Sequence, residues 1–155
     1  MTSSTTILPS SGKLPDANRS RRLRPRLLLD THVVIRWLFE ARKLSRTQLR
    51  ALESAVRRGE PVAVSAISLL EIAVLASGDK PALKVPLAEF FQDLVSSPSF
   101  RIFPLTYEVA LDVASLGVLR DPADRAIAAT ARVHQLRLVT SDQRIIESKL
   151  VPVVD

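Results

Sequence analysis

No cysteine occurs in the 155 residues, so disulfides and thiolate metal sites are excluded. That absence fits a reducing cytosol, and a cytoplasmic location is the expectation. Only two histidines are present, His32 and His134, too few for a histidine-rich zinc site. Any metal would be held mainly by oxygen, which favours Mg²⁺ or Mn²⁺. No apolar run approaches the roughly 20 residues that span a bilayer, and no apolar segment of the secretory-signal kind is found near the N-terminus. Membrane insertion is not expected.

What is present has the length of one domain, with 46% hydrophobic and 25% charged residues, the balance of a globular chain with a substantial core. The net charge of +6 is unevenly spread. Lys13, Arg19, Arg21, Arg22, Arg24 and Arg26 face one acid, Asp16, so residues 1–26 carry +5 and the remainder +1. That stretch is rich in Ser, Thr, Pro and Arg and has no amphipathic period. Residues 1–25 read as a disordered basic arm ahead of a domain at 26–155. A solvated tail is the plain reading of the arm, and electrostatic contact with nucleic acid is the sharper one.

From Arg26 onward, short β-type runs alternate with helical patterns. The strands are "RLLLD" (26–30), "PVAVS" (61–65), "FRIFPL" (100–105), "LRLVTSD" (136–142) and "LVPVV" (150–154). Between them come a helix carrying Val33, Val34, Trp37 and Leu38 and another through Leu49, Leu52 and Val56 that ends at Gly59. Further helices follow at "ISLLEIAVLAS" (67–77), "LAEFFQDLVSS" (87–97), after Thr106, at "DPADRAIAATARVHQ" (121–135) and at "QRIIES" (143–148). This alternation predicts a three-layer α/β/α domain with a central, largely parallel sheet, because strands that are apolar throughout are buried on both faces.

Asp30 stands out within that pattern. Apolar residues flank it on both sides, where an unpaired carboxylate is costly. Glu71 is similar, set among Leu69, Leu70, Ile72 and Ala73. Asp121 and Asp124 open a helix, and Asp142 follows a strand. Ligand sites of open parallel sheets form outside the carboxyl ends of the strands, so four separated segments can deliver acids to one edge. Each acid also has a capping explanation. Ser68 and Glu71 have capping-box spacing, Asp121 precedes a proline at a helix start, and Asp142 can cap the last helix. Capping alone gives no reason for convergence on one edge. Converging carboxylates need protons or a cation to relieve their repulsion. A hard divalent ion activates water and offsets charge at phosphorus, which is the chemistry of phosphodiester hydrolysis.

"LLLDTHVVIRW", "SAISLLEIAV", "RDPADRAIAATA" and "LVTSDQRI", taken together in order and spacing, resemble the PIN domain, in particular the VapC-type toxins of bacterial toxin–antitoxin pairs. The resemblance covers roughly residues 26–155. It implies the PIN fold, a Mg²⁺- or Mn²⁺-dependent endoribonuclease, an RNA substrate, a homodimer and a cognate antitoxin. It puts the family's catalytic and metal-binding acids on Asp30, Glu71, Asp124 and Asp142. Asp121 is then a supporting or capping residue. Thr31 and Ser141 match hydroxyl positions that orient a carboxylate or bind phosphate. Arg125 is either an RNA contact or an exposed helix-surface arginine. The segment "SLGVLRDP" lacks the histidine often found before "RDP" in similar sequences. The alternative reading is a PIN-like module that binds RNA or a partner without cutting. Trp37 is expected in the core or at a dimer contact, and both histidines are expected to be structural or on the surface. If repulsion dominates the acid site, Asp30→Asn stabilises the metal-free protein.

Overall fold

The computed structural model describes residues 23–79 and 83–155. The arm up to residue 22, with its expected disorder and nucleic-acid contact, lies outside the described residues.

Three consecutive leucines form β1 (Leu27–Leu29), buried throughout and placed at the middle of a five-stranded sheet. The order across the sheet is β3 (Phe100–Phe103), β2 (Val62–Ser65), β1, β4 (Arg137–Val139) and β5 (Val153–Val154). Every pairing is parallel, with Leu28 opposite Ala63 on one side and Leu138 on the other. The ends of the strands are shorter than their apolar runs. β3 stops before Pro104, and "LVPVV" supplies only Val153–Val154, because Pro152 has no N–H for a ladder. The Pro152 carbonyl still accepts the Leu138 N–H, at 2.9 Å.

The helices are α1 (Thr31–Phe39), α2 (Arg46–Arg57), α3 (Ala66–Ala76), α4 (Leu87–Ser96), α5 (Tyr107–Val113), α6 (Pro122–His134) and α7 (Gln143–Ser148), with a 3₁₀ turn at Ala41–Lys43. The capping box expected of Ser68 and Glu71 does not form. β2 runs straight into α3, whose cap is Ser65, accepting the Ile67 N–H at 3.1 Å, so Ser68 already lies within the helix. A capping box does form at α2, between Ser45 and Gln48.

The pleat sorts the core into two layers, since successive strand residues face opposite ways. Leu27, Leu29, Val62 and Val64 pack against Val33 and Trp37 of α1, Leu52 of α2 and Phe90 of α4. Leu28 and Ala63 face Val109 of α5, Ile127 of α6 and Ile145 of α7. Trp37 belongs to the core: it is 5% exposed and stands edge-on to Phe100 at a ring separation of 5.8 Å. His134 packs edge-on against Phe103 at 4.6 Å. Among the described residues no helix is long and apolar enough to cross a membrane. Because all five strands run the same way, the carboxyl ends of β1, β2 and β4 share one edge, and α1, α3 and α7 start from it.

Candidate active site

Asp30 is the first residue past β1. Its backbone N–H continues the ladder to the Val139 carbonyl at 3.0 Å, while its side chain caps α1. Oδ1 accepts the Thr31 N–H at 2.8 Å and Oδ2 accepts the Thr140 hydroxyl at 2.7 Å. His32 Nδ1 lies 3.4 Å from the same Oδ2. The other ring nitrogen, Nε2, accepts the Ser141 N–H at 3.0 Å, which puts the ring proton on Nδ1, toward Asp30. At 4% exposure, Asp30 is thus buried and fully engaged by the protein's own donors.

From Asp30 the contacts run in both directions. The Thr31 hydroxyl donates to Glu71 Oε1 at 2.6 Å and lies 2.9 Å from Ser68 Oγ, fastening α1 to α3. The Thr140 hydroxyl, besides donating to Asp30, accepts the Asp142 N–H at 3.0 Å. Asp142 caps α7 by accepting the Arg144 N–H at 2.9 Å. Arg144 Nη2 stands 3.1 Å from Asp142 Oδ2 and 3.9 Å from Asp124 Oδ2. All four acids singled out in the sequence are therefore tied into one run of contacts.

The electrostatics divide the acids. Burial, then the charges of Asp121, Asp142 and Asp30, push the Asp124 carboxyl up to about 6 against a small opposing pull from Arg144. Burial also raises Glu71, with Asp30 and Asp121 adding to it and the Thr31 hydroxyl opposing. Burial acts upward on Asp142 too, but the hydrogen bonds and charge of Arg144 outweigh it and hold that carboxyl below its usual range. Burial, aided by Arg36 and opposed by Asp30 and Asp142, keeps His32 below the usual imidazole range.

The family model for the PIN domain matches residues 27–149. The chain belongs to the PIN domain family. Ribonuclease VapC22 of Mycobacterium tuberculosis is 38% identical to it over 121 residues, covering 77% of this chain and 88% of that protein. In three dimensions the chain is similar to VapBC2 from Rickettsia felis bound to a DNA fragment from its promoter, with a TM-score of 0.61 at 16% identity over 82% of this chain and 96% of that one, a likeness of fold alone. FitAcB from Neisseria gonorrhoeae matches with a TM-score of 0.55 at 29% identity, over 83% of this chain and 96% of that one.

Other residues singled out in the sequence of this PIN domain take different places. Asp121 caps α6 by accepting the Ala123 N–H at 2.9 Å and adds its charge to Glu71 and Asp124, as a supporting residue would. The Ser141 hydroxyl accepts from Gln48 Nε2 at 3.0 Å, and the hydroxyls that donate to the carboxylates are those of Thr31, to Glu71, and Thr140, to Asp30. Arg125 is half-buried, not the exposed arginine expected, and its Nε donates to the Leu119 carbonyl within "SLGVLRDP". Among the described residues, no three acid or histidine side chains stand ready-made to grasp one ion. Asp30 instead engages a hydroxyl, an amide and an imidazole, and Asp142 engages Arg144. The donor chemistry nevertheless fits a hard divalent cation, which takes carboxylate oxygens, and neighbouring acids raise both Glu71 and Asp124.

Sequence reasoning missed Thr140, Gln48 and Arg144. Gln48 is fully buried and reaches from α2 to the Thr140 carbonyl at 3.2 Å, steadying the turn after β4. Its capping-box spacing with Ser45 was the available signal. Arg144 was signalled by a basic residue in the first turn of a helix, where the dipole favours an acid.

Proposed function

We propose that this PIN domain is a Mg²⁺- or Mn²⁺-dependent endoribonuclease, the toxin of a toxin–antitoxin pair, with Asp30, Glu71, Asp124 and Asp142 as its catalytic and metal-holding carboxylates. The observation that carries the reading is the unbroken run of contacts from Glu71 through Thr31, Asp30, Thr140, Asp142 and Arg144 to Asp124. It joins acids from four chain segments at the strand ends, where open parallel sheets bind ligands. A VapC ribonuclease by name is 38% identical, which supports RNA as the substrate.

A bound divalent ion supplies activation of water and neutralisation of charge on the phosphodiester. The chain's own residues supply orientation. Thr31 aims Glu71, Thr140 and His32 fix the rotation of Asp30, and Gln48 holds the turn that carries Thr140. Asp124, with its carboxyl near 6, is the acid that exchanges a proton for a cation close to neutral pH.

One feature of the surface supports a homodimer. An apolar groove of about 490 Å³, lined by Ile67, Leu70, Leu105, Ala110, Val113 and Ala126, borders Asp121 between α3, α5 and α6. Leu70 and Val74 of α3 and Leu111 of α5 are exposed around it, a face suited to a second copy of this chain. An antitoxin is the remaining protein partner in this reading, which the 38% identity to a VapC ribonuclease supports.

Purified protein is expected to cleave RNA in Mg²⁺ or Mn²⁺ and to stop in EDTA. Asp124→Asn is expected to abolish cleavage with the circular dichroism spectrum unchanged. Equal cleavage by both proteins removes the proposed site, and RNA binding without cleavage by the wild type favours the non-catalytic module. Expression alone should arrest growth, with relief on co-expression of a small protein encoded beside it. Light scattering should show a dimer that Leu70→Ser weakens.

A further inference from the structure

Two residues after Asp142 opens α7, Arg144 occupies a first-turn position where a positive charge opposes the helix dipole. Helix stability gives no reason for it. Its side chain is 74% exposed, so packing gives none either. The guanidinium instead folds back over the acids. Nε is 3.3 Å from Asp142 Oδ1, and Nη2 is 3.1 Å from Asp142 Oδ2 and 3.9 Å from Asp124 Oδ2. A small cleft of about 150 Å³ beside it is also lined by Arg120, Asp121 and Asp124. Among the described residues, Arg120 forms no ion pair with those acids.

We propose that Arg144 is the resident counter-cation of the metal-free site, bridging Asp142 and Asp124 until a divalent ion displaces it. The inference rests on reading the four acids as metal-holding. Two neighbouring carboxylates repel, and a planar fork carrying one charge relieves that repulsion with directed hydrogen bonds. A divalent ion needs the same oxygens, brings twice the charge to one point, and repels the guanidinium once bound. Exposed ion pairs are weak and screened, so Arg144 is easily displaced. It keeps the carboxylates of α6 and α7 facing each other across the edge while no ion is present, and it makes ion entry an exchange of cations.

Calorimetric titration of MnCl₂ at low salt, in the absence of RNA, tests this on four full-length proteins. Arg144→Gln should bind Mn²⁺ about two- to fivefold more tightly than wild type, the range an exposed ion pair supports. Arg144→Lys, which keeps the charge but loses the fork, should stay close to wild type. Arg120→Gln removes a charge from the same cleft without removing a carboxylate contact, and should change little. The gain in Arg144→Gln should shrink as salt is added. Equal or weaker Mn²⁺ affinity in Arg144→Gln overturns the inference and makes Arg144 a support for Asp142. Equal tightening in Arg120→Gln overturns it as well, in favour of a general field. If wild type binds Mn²⁺ and only these differences fail, the metal reading stands; if wild type binds no Mn²⁺, both fall together.

Discussion

Asp30 and Asp124 are chemically identical side chains at one sheet edge, in opposite circumstances. Asp30 is almost sealed from water, and an amide, a hydroxyl and an imidazole all point at its two oxygens. Asp124 meets an arginine at 3.9 Å and three neighbouring carboxylates whose charge, with burial, pushes it up to about 6. One corner of the site is built by the protein itself, and the other is left to a proton or a cation. Convergence of acids therefore does not tell which of them the fold can do without.

The largest effect that sharpens this contrast is at Asp30. Asp30→Ala removes the cap of α1 and orphans the Thr140 hydroxyl, and should cost about 2–4 kcal/mol by urea denaturation in EDTA. Asp30→Asn should cost about 1–2 kcal/mol, since its amide nitrogen turns a donor toward the His32 N–H. This reverses the stabilisation expected from repulsion alone, and a higher melting point for Asp30→Asn would erase the contrast. Next comes Thr140→Val, similar in shape but without the hydroxyl shared by Asp30 and the Asp142 N–H, at about 1–2 kcal/mol. Asp124→Asn in the same assay should cost nothing or gain up to about 1 kcal/mol, because it removes a half-buried charge that burial and the neighbouring carboxylates disfavour.

The smallest effect is the pH dependence of that last difference. A carboxyl near 6 in the folded protein binds a proton that the unfolded chain, near its usual 3.9, does not. Asp124 therefore adds stability as pH falls from about 7 to about 4.5, and that contribution is lost as pH rises through 6. Glu71 acts in the same direction, whereas His32, kept neutral by burial, opposes it on acidification. Subtracting the Asp124→Asn profile from that of wild type isolates the Asp124 share. Melting curves from pH 4.5 to 7.5 in EDTA should leave wild type gaining on the variant toward the acidic end by a few degrees at most. A flat difference would mean that Asp124 titrates like a surface acid.

The four acids were legible because their neighbours are apolar and because strand–helix alternation implies a single edge. The layers were legible for the same reason, since Leu27, Leu28 and Leu29 can be buried together only in a strand covered on both sides. What local pattern could not supply was partner choice. Thr140 and Ser141 are adjacent hydroxyls, and one step along the turn after β4 decides which faces Asp30 and which meets Gln48. Ser68 fits a capping box by spacing, but β2 passes into α3 without a loop and Ser65 takes the role. Arg144 and Gln48 matter through contacts with residues that only the finished fold brings near.

The central place of β1 has a consequence in time. Leu27–Leu29 and Asp30 leave the ribosome early, but the Thr140 that completes their corner follows 110 positions later. At synthesis rates of 5–20 residues per second, that is a wait of roughly 5–20 s. During it the nascent chain holds Asp30 and Glu71 without Asp142, and the sheet lacks the strand that brings Asp142 to them. The order of translation therefore completes this edge from the C-terminal side, Asp142 following Asp30 by 112 positions, Glu71 by 71 and Asp124 by only 18.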